Sequence, residues 1–116
     1  AFKEGTEGAE TIDELKSFGD RLIEIPGKRG FNAFVKTDLD AILAEKGIKN
    51  VIFAGAVTSI CIDSTARAAY EYGYRVFILD DCTAARTDAE QEFFCGEVFP
   101  TYASIISSES LIGDLS

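Results

Sequence analysis

The most informative stretch of the chain is Asn50-Val51-Ile52-Phe53-Ala54-Gly55, a nearly continuous apolar run that ends on a glycine. Such a run predicts a strand that is covered on both faces, as in a parallel sheet. An alanine-rich segment follows from Cys61 to Tyr72; it is predicted to be helical and to end at Gly73. A second apolar run, Tyr74 to Leu79, predicts another buried strand. Strand, helix and strand in this order indicate a βαβ unit, so the predicted fold class is α/β.

The same alternation extends toward both ends of the chain. No internal repeat or interdomain linker interrupts it, so residues 1–116 are interpreted as one domain. Further strands are predicted at Arg21 to Ile25 and Ser104 to Ser107, and the strand after Gly73 is predicted to close at Asp80-Asp81. Further helices are predicted over Thr11 to Phe18, from an N-cap at Thr37 to Gly47, over Thr87 to Phe94 and over Ser108 to Leu115.

The composition argues against several classes of protein. A net charge of −9 disfavours nucleic acid as a partner, because phosphate binding needs a basic surface. No apolar run approaches the length of a membrane span, and Ala1 to Gly5 have no apolar core like that of a signal peptide. The three cysteines, Cys61, Cys82 and Cys95, are widely spaced, and the chain has no His. This pattern fits neither a disulfide framework nor a zinc site. We therefore expect a cytoplasmic protein that contacts no membrane and uses no cofactor, with no metal site formed by these residues.

Cys61 is the residue best placed for chemistry. It lies between the carboxyl end of a predicted buried strand and the start of a helix, where open α/β sheets bind ligands. Unpaired N–H groups and the helix dipole favour a thiolate there, and the same amides can hold an oxyanion. A structural cysteine that packs as a small apolar side chain is the simpler interpretation. Position alone does not decide between the two.

Three segments in order resemble the isochorismatase-like cysteine hydrolases. Gly55-Ala56-Val57-Thr58-Ser59-Ile60-Cys61-Ile62-Asp63-Ser64-Thr65-Ala66 is similar to the family's Gly-x-x-Thr-x-x-Cys-Val-x-x-Thr-Ala nucleophile segment. Upstream, Lys28-Arg29-Gly30-Phe31-Asn32-Ala33-Phe34 and Thr37-Asp38-Leu39 resemble its Lys-x-x-x-Ser-Ala-Phe and Thr-x-Leu elements. Downstream, Gly73-Tyr74-Arg75-Val76 and Asp80-Asp81-Cys82-Thr83-Ala84 resemble its next strand and the following turn. The likeness runs from about Gly5 to the C-terminus.

The resemblance implies a fold, an activity and a site. The implied fold is a Rossmann-like three-layer α/β/α domain with a parallel sheet of order 3-2-1-4-5-6, whose first two strands are absent from this chain. The implied activity is hydrolysis of a C–N amide bond through an acyl-enzyme, with Cys61 as nucleophile and Lys28 stabilising its thiolate. The amides of Val57 and Cys61 are implied to form the oxyanion hole, with a cis peptide bond before Val57. Candidates for the substrate pocket are Phe31, Phe34 and Thr58.

Several of these residues have simpler interpretations. Lys28 alone is typical of a solvated lysine at a strand end, and single phenylalanines are more often core residues. Asp80 and Asp81 are more typical of a turn or a helix cap. Many relatives carry His-Glu where this chain has Gln91-Glu92, and no catalytic role is assigned to this difference.

The implied general base, an Asp on the family's first strand, has no counterpart in this sequence. We therefore expect this chain alone to be inactive, and the N-terminal part of the domain to be a separate chain or part of a longer protein. Homo-oligomerisation is also expected. Within the family, the residues around Cys61 favour ureido or carbamoyl amidases over nicotinamidases. Isochorismatases proper are disfavoured because they carry Gly in place of the nucleophilic Cys. The alternative function is an inactive α/β module for assembly or thiol-based sensing.

Overall fold

Three parallel strands form the sheet in the computed structural model, which describes residues 11–115. They are β1 (Asn50–Ala56), β2 (Arg75–Ala84) and β3 (Ser104–Ile106), and β2 lies in the middle. The predicted α/β class and parallel sheet are confirmed, and the order fits the last three strands of the expected arrangement. The opening residues Ala1 to Gly5, where no signal peptide is predicted, lie outside the described residues.

Helices connect and flank these strands. The described residues contain five α-helices: α1 (Asp13–Lys16), α2 (Leu39–Glu45), α3 (Asp63–Glu71), α4 (Asp88–Phe93) and α5 (Ser108–Leu115). Shorter 3-10 turns cover Gly19–Arg21 and Phe99–Thr101, and π-helical turns cover Thr58–Ile62 and Phe94–Val98.

Gly73 ends α3 where the sequence predicts. Its φ of 99° lies in the left-handed region that side chains disfavour. This conformation lets Gly73 N donate to the Tyr70 carbonyl and Tyr74 N donate to the Ala69 carbonyl, both at 3.0 Å. The chain then turns directly into β2, so the glycine fixes the connection between helix and central strand.

The core lies between α3 and the sheet. Ile62, Ala66 and Ala69 recur at helical spacing and are buried, so one face of α3 packs against the sheet. Val76 and Ile78 of β2 form the opposite side of this contact. The core is completed by two aromatic side chains from outside these elements, Phe34 and Phe99.

The strand β2 is longer than predicted, because it continues past Leu79 to Ala84. Phe53 of β1 pairs with Ile78, whereas Gly55 pairs with Thr83, so β2 advances five residues while β1 advances two. The three extra residues form a bulge in β2. A pattern of consecutive apolar residues ends at Leu79 and gives no sign of the pairing that resumes beyond the bulge.

The predicted strand from Arg21 to Ile25 is wrong. Arg21 ends a 3-10 turn, and the residues that follow belong to no strand. Leu22 does have extended dihedrals, with φ −97° and ψ 124°. A strand also requires a hydrogen-bonded neighbour, and within residues 11–115 the sheet has no member beside this segment.

Candidate active site

Cys61 lies in the π-helical turn Thr58–Ile62, hereafter the cysteine turn, which joins β1 to α3. The amides of Ile60 and Ile62 donate to the Val57 carbonyl at 3.1 and 3.2 Å, and neither bond uses the amide of Cys61. The peptide bond between Ala56 and Val57 is cis, as the resemblance implies. The turn therefore places a partly buried thiol at the carboxyl end of β1.

Lys28 approaches Cys61 from a segment 33 residues earlier in the chain. Its Nζ lies 3.9 Å from Cys61 Sγ and donates to the Gly30 carbonyl at 2.6 Å. An ammonium group at this distance attracts the negative charge of a thiolate. The structure thus brings together the two residues that the resemblance pairs.

Thr65 holds the Lys28 segment against α3. Its hydroxyl accepts a hydrogen bond from Ala33 N at 2.9 Å and donates to the Phe31 carbonyl at 3.2 Å. The side chain is buried, 6% exposed, so water competes little for these bonds. One hydroxyl on the helix that follows Cys61 therefore fixes the position of the chain that carries Lys28.

The two phenylalanines predicted for the pocket have different environments. Phe31 is 60% exposed and borders an open cavity of about 490 Å³ beside the cysteine turn. Phe34 instead belongs to the core, where its ring contacts those of Tyr72 and Tyr74 at 5.1 and 6.3 Å between centroids. The prediction that Phe34 lines an open pocket is corrected, because packing against two tyrosines removes its ring from the surface.

Thr58, the third pocket candidate, is fully buried. Its hydroxyl donates to Gln91 Oε1 on α4 at 2.7 Å, so the side chain faces the protein interior instead of an open pocket. The neighbouring hydroxyl, Ser59 Oγ, donates to Glu90 Oε1 at 2.5 Å. Both residues at the start of the cysteine turn are thereby tied to α4.

The charged groups at the start of α3 are paired. Arg67 Nη2 lies 3.1 Å from both carboxylate oxygens of Asp63, and the Tyr102 hydroxyl donates to the same carboxylate at 2.9 Å. Burial, together with the neighbouring Asp63, raises the pKa of Tyr102. The tyrosine therefore remains a neutral donor, and Asp63 is committed to partners other than the thiol.

Asp81, in the last part of the central strand β2, has a structural contact. The hydroxyl and amide of Ser108 donate to the carboxylate of Asp81 at 2.5 and 2.9 Å, and these bonds lower the pKa of Asp81. This confirms a capping role, here at the N-terminus of α5. Of the other cysteines, Cys82 is exposed, whereas Cys95 is partly buried and this burial raises its pKa.

Neither a metal centre nor a membrane span emerges from the described chain. Across residues 11–115, no three carboxylate or thiol side chains converge as ligands of one ion. Over the same range, every helix is too short or too polar to cross a bilayer.

The family model described as the Isochorismatase domain matches residues 1–110. This chain belongs to the isochorismatase family. The match covers both the Lys28 segment and the cysteine turn, so the two residues in contact lie within the region shared with the family.

Relatives and solved structures agree with this assignment. The isochorismatase-family chain is 38% identical over 81 residues to nicotinamidase 3 of Arabidopsis thaliana, covering 70% of this chain and 41% of that protein. It is 34% identical over 80 residues to the ureidoacrylate amidohydrolase of Agrobacterium fabrum, covering 68% of this chain and 34% of that protein. The crystal structure of an isochorismatase-like hydrolase from Alkaliphilus metalliredigens superposes with a TM-score of 0.80 at 29% identity. The superposition covers 97% of this chain and 61% of that one. The chain thus spans less than half the length of these two curated relatives.

The sequence assigns no role to two polar residues of this isochorismatase-family site, Thr65 and Gln91. Thr65 contacts residues more than thirty positions away, and Gln91 contacts Thr58 across 33 positions. No periodicity links residues at such distances. For Thr65 the available signal is its place in segment 55–66, which resembles the nucleophile segment of the family; for Gln91 no pattern in the sequence gives one.

Proposed function

We propose that this isochorismatase-family chain carries Cys61 as the nucleophile of a hydrolase that cleaves a C–N amide bond in a small molecule. The observation that carries the proposal is the 3.9 Å separation of Lys28 Nζ and Cys61 Sγ at the carboxyl end of β1. The names of two relatives, a nicotinamidase and an amidohydrolase, give independent support. The preferred substrates are ureido or carbamoyl compounds.

The reaction proceeds through a thioester. The thiolate of Cys61 attacks the amide carbonyl carbon, a C–S bond forms, and the carbonyl π electrons move to oxygen. The N–H groups of Val57 and Cys61 donate to this oxyanion. As it collapses, the C–N bond breaks, and the nitrogen leaves with the proton that the thiol first gave to a base. Water then attacks the thioester, releases the carboxylic acid and restores the thiol.

The base is proposed to lie outside the described range. Within residues 11–115, no carboxylate oxygen is hydrogen-bonded to Cys61 Sγ or paired with Lys28 Nζ. The ammonium group of Lys28 has three N–H donors and no lone pair, so it cannot accept the proton of the thiol. A carboxylate from another part of the protein therefore completes the site, and this chain alone is expected to be inactive.

The edge of β1 that faces away from β2 in the described chain supports a proposed position for that part. In the described chain β1 has a strand on its β2 side alone, and Ile52 on β1 is 43% exposed. Unpaired strand edges and exposed apolar side chains favour further pairing. Because this chain spans less than half of two curated relatives, the proposed occupant is a strand from the remainder of the same protein, as a separate or continuous chain.

The test compares hydrolysis of ureido, carbamoyl and nicotinamide substrates by the complete protein, its Cys61→Ala variant and its Cys82→Ala variant. We expect release of ammonia or amine by the complete protein and by Cys82→Ala, but none by Cys61→Ala. Mass spectrometry of quenched turnover is expected to place an acyl adduct on Cys61. Full activity of Cys61→Ala would exclude covalent catalysis by this residue. A reactive Cys61 without turnover of any amide would support thiol sensing instead.

A further inference from the structure

Gln91 of α4 connects the cysteine turn to the end of β2. Its Oε1 accepts a hydrogen bond from the buried Thr58 hydroxyl at 2.7 Å. Its Nε2 donates to the Asp80 carbonyl at 3.0 Å and to Thr83 Oγ1 at 2.9 Å, and it also contacts Cys95 Sγ at 3.5 Å. One side chain thus links three separate segments of the chain.

These contacts determine the orientation of the amide. In the reverse orientation, Gln91 Oε1 would face the carbonyl oxygen of Asp80, and two acceptors would meet without a proton between them. The orientation in the structure satisfies both ends of the amide. Because Thr58 is fully buried, its hydroxyl has no access to water as a substitute partner.

A second bond from α4 reaches the adjacent residue of the turn. Glu90 Oε1 accepts from Ser59 Oγ at 2.5 Å, and Arg86 Nη2 contacts Glu90 Oε2 at 2.8 Å. Arg86 is 64% exposed, so the Ser59–Glu90–Arg86 contacts lie nearer to solvent than the contact between Thr58 and Gln91. The buried contact between Thr58 and Gln91 is therefore the one that sets the position of the cysteine turn.

We infer that Gln91 is a positioning residue: it fixes the cysteine turn through Thr58 and so aims the Cys61 thiol and the turn amides at one substrate position. The role rests on the proposed function of Cys61, because Gln91 itself contacts no reacting atom. Displacing a nucleophile by about 1 Å can cost on the order of a hundredfold in rate, so loss of this support affects kcat more than KM.

Three variants of the complete protein test the role. Gln91→Leu keeps similar volume and removes every hydrogen bond of the amide. Thr58→Val combined with Gln91→Leu also removes the buried hydroxyl that the single variant leaves unpaired. The matched control is Thr87→Ala, since Thr87 caps α4 through Glu90 N and makes no hydrogen bond to the cysteine turn. It weakens α4 without touching the Thr58 contact.

The readouts are kcat and KM for amide hydrolysis, and hydrogen exchange of the amides of residues 57–62. For Gln91→Leu we expect kcat to fall about 10- to 100-fold, with KM changed less than threefold, and exchange of these amides to accelerate. Thr87→Ala is expected to leave both unchanged. The double variant is expected to lose no more activity than Gln91→Leu, because both changes act on one contact.

Two results would overturn the inference. One is that Gln91→Leu has the same kcat as the wild type and the same hydrogen exchange of the amides of residues 57–62. The other is equal loss in Gln91→Leu and Thr87→Ala, which would make Gln91 a general support of α4. If the wild-type protein hydrolyses no amide but Gln91→Leu still releases residues 57–62 selectively, the positioning role is supported while the proposed function fails.

Discussion

At the scale of single residues, the contact between Lys28 and Cys61 depends on charge as well as on proximity. Replacing Lys28 by Met retains the apolar stem and removes the ammonium group that lies 3.9 Å from the thiol. In the complete protein, we expect Lys28→Met to slow alkylation of Cys61 by iodoacetamide at pH 7. We also expect it to lower kcat by roughly 10²- to 10³-fold, as for loss of one electrostatic contact in an active site. Peptide mapping separates the adduct on Cys61 from those on the other cysteines.

The control for this substitution is Lys49→Met. Lys49 directly precedes β1, so it lies at the opposite end of the strand from the cysteine turn. Equal slowing in both variants would mean that net charge, and not the local contact, governs the reactivity of Cys61.

The sequence identifies Lys28 and Cys61 through resemblance, but it does not reveal which residues hold them in place, and the reason is physical. Lys28 and Cys61 belong to motifs whose order and spacing are readable. Thr65 and Gln91 act through hydrogen bonds to residues distant in sequence, and such contacts exist only after folding. Phe34 shows the opposite error, in which the sequence predicts a role that the residue does not have. A phenylalanine near a site can line a pocket or pack into the core, and the sequence does not distinguish the two.

At the scale of elements, the connection between α3 and β2 depends on the backbone conformation of Gly73. Its φ is 99°, and an added Cβ would meet no atom within 4 Å, so conformation alone opposes a side chain there. We expect Gly73→Ala to lower the free energy of unfolding by about 1–2 kcal/mol. Gly96→Ala is the matched control, because its Cβ is equally free of contacts and its φ lies outside the left-handed region. Urea unfolding of both variants measures the difference, and equal midpoints would contradict the expectation.

The pairing of Glu90 makes the attachment of α4 dependent on pH. Hydrogen bonds from Arg86, then from Ser59, lower the pKa of Glu90 from 4.5 to about 2. A carboxyl group whose pKa is lower in the folded state contributes stability above its unfolded pKa, and that contribution is lost as pH falls from about 4.5 toward 2. We therefore expect Glu90→Gln to be less stable than wild type at pH 6, and the gap to narrow by pH 3. Urea unfolding midpoints between pH 3 and pH 6 measure this difference, with Glu92→Gln, at an exposed residue, as the control. A stability difference that does not change with pH would contradict the expectation.

Elements with a complete local pattern are predicted well. The final helix, Ser108–Leu115, has the predicted bounds, and α4 differs by one residue at each end. Errors occur where structure depends on a neighbour. The bulge in β2 follows from pairing with β1, and the segment after Arg21 forms no strand because no strand of the described chain lies beside it.

At the scale of the whole molecule, the edge of β1 that has no partner strand within residues 11–115 predicts association. We expect the 116-residue chain to bind the remainder of the protein when the two are mixed, and Ile52→Lys to weaken binding about tenfold or more, because burying an isoleucine contributes about 1.5–3 kcal/mol. Leu115→Lys, on an exposed residue of α5, is the control. Native mass spectrometry measures the complex. A stable self-oligomer that excludes the remainder would contradict this arrangement.

The Thr65 contact also bears on how the thiol samples its surroundings over time. Segment 31–33 is joined to α3 through one hydroxyl, while Phe34 anchors the next residue in the core. Detaching this segment would carry Lys28 away from Cys61 and expose Phe34, without breaking any pair of the sheet. Such local opening costs less free energy than global unfolding. The reactivity of Cys61 in an alkylation assay is then expected to be an average over the closed and open populations, each weighted by its fraction.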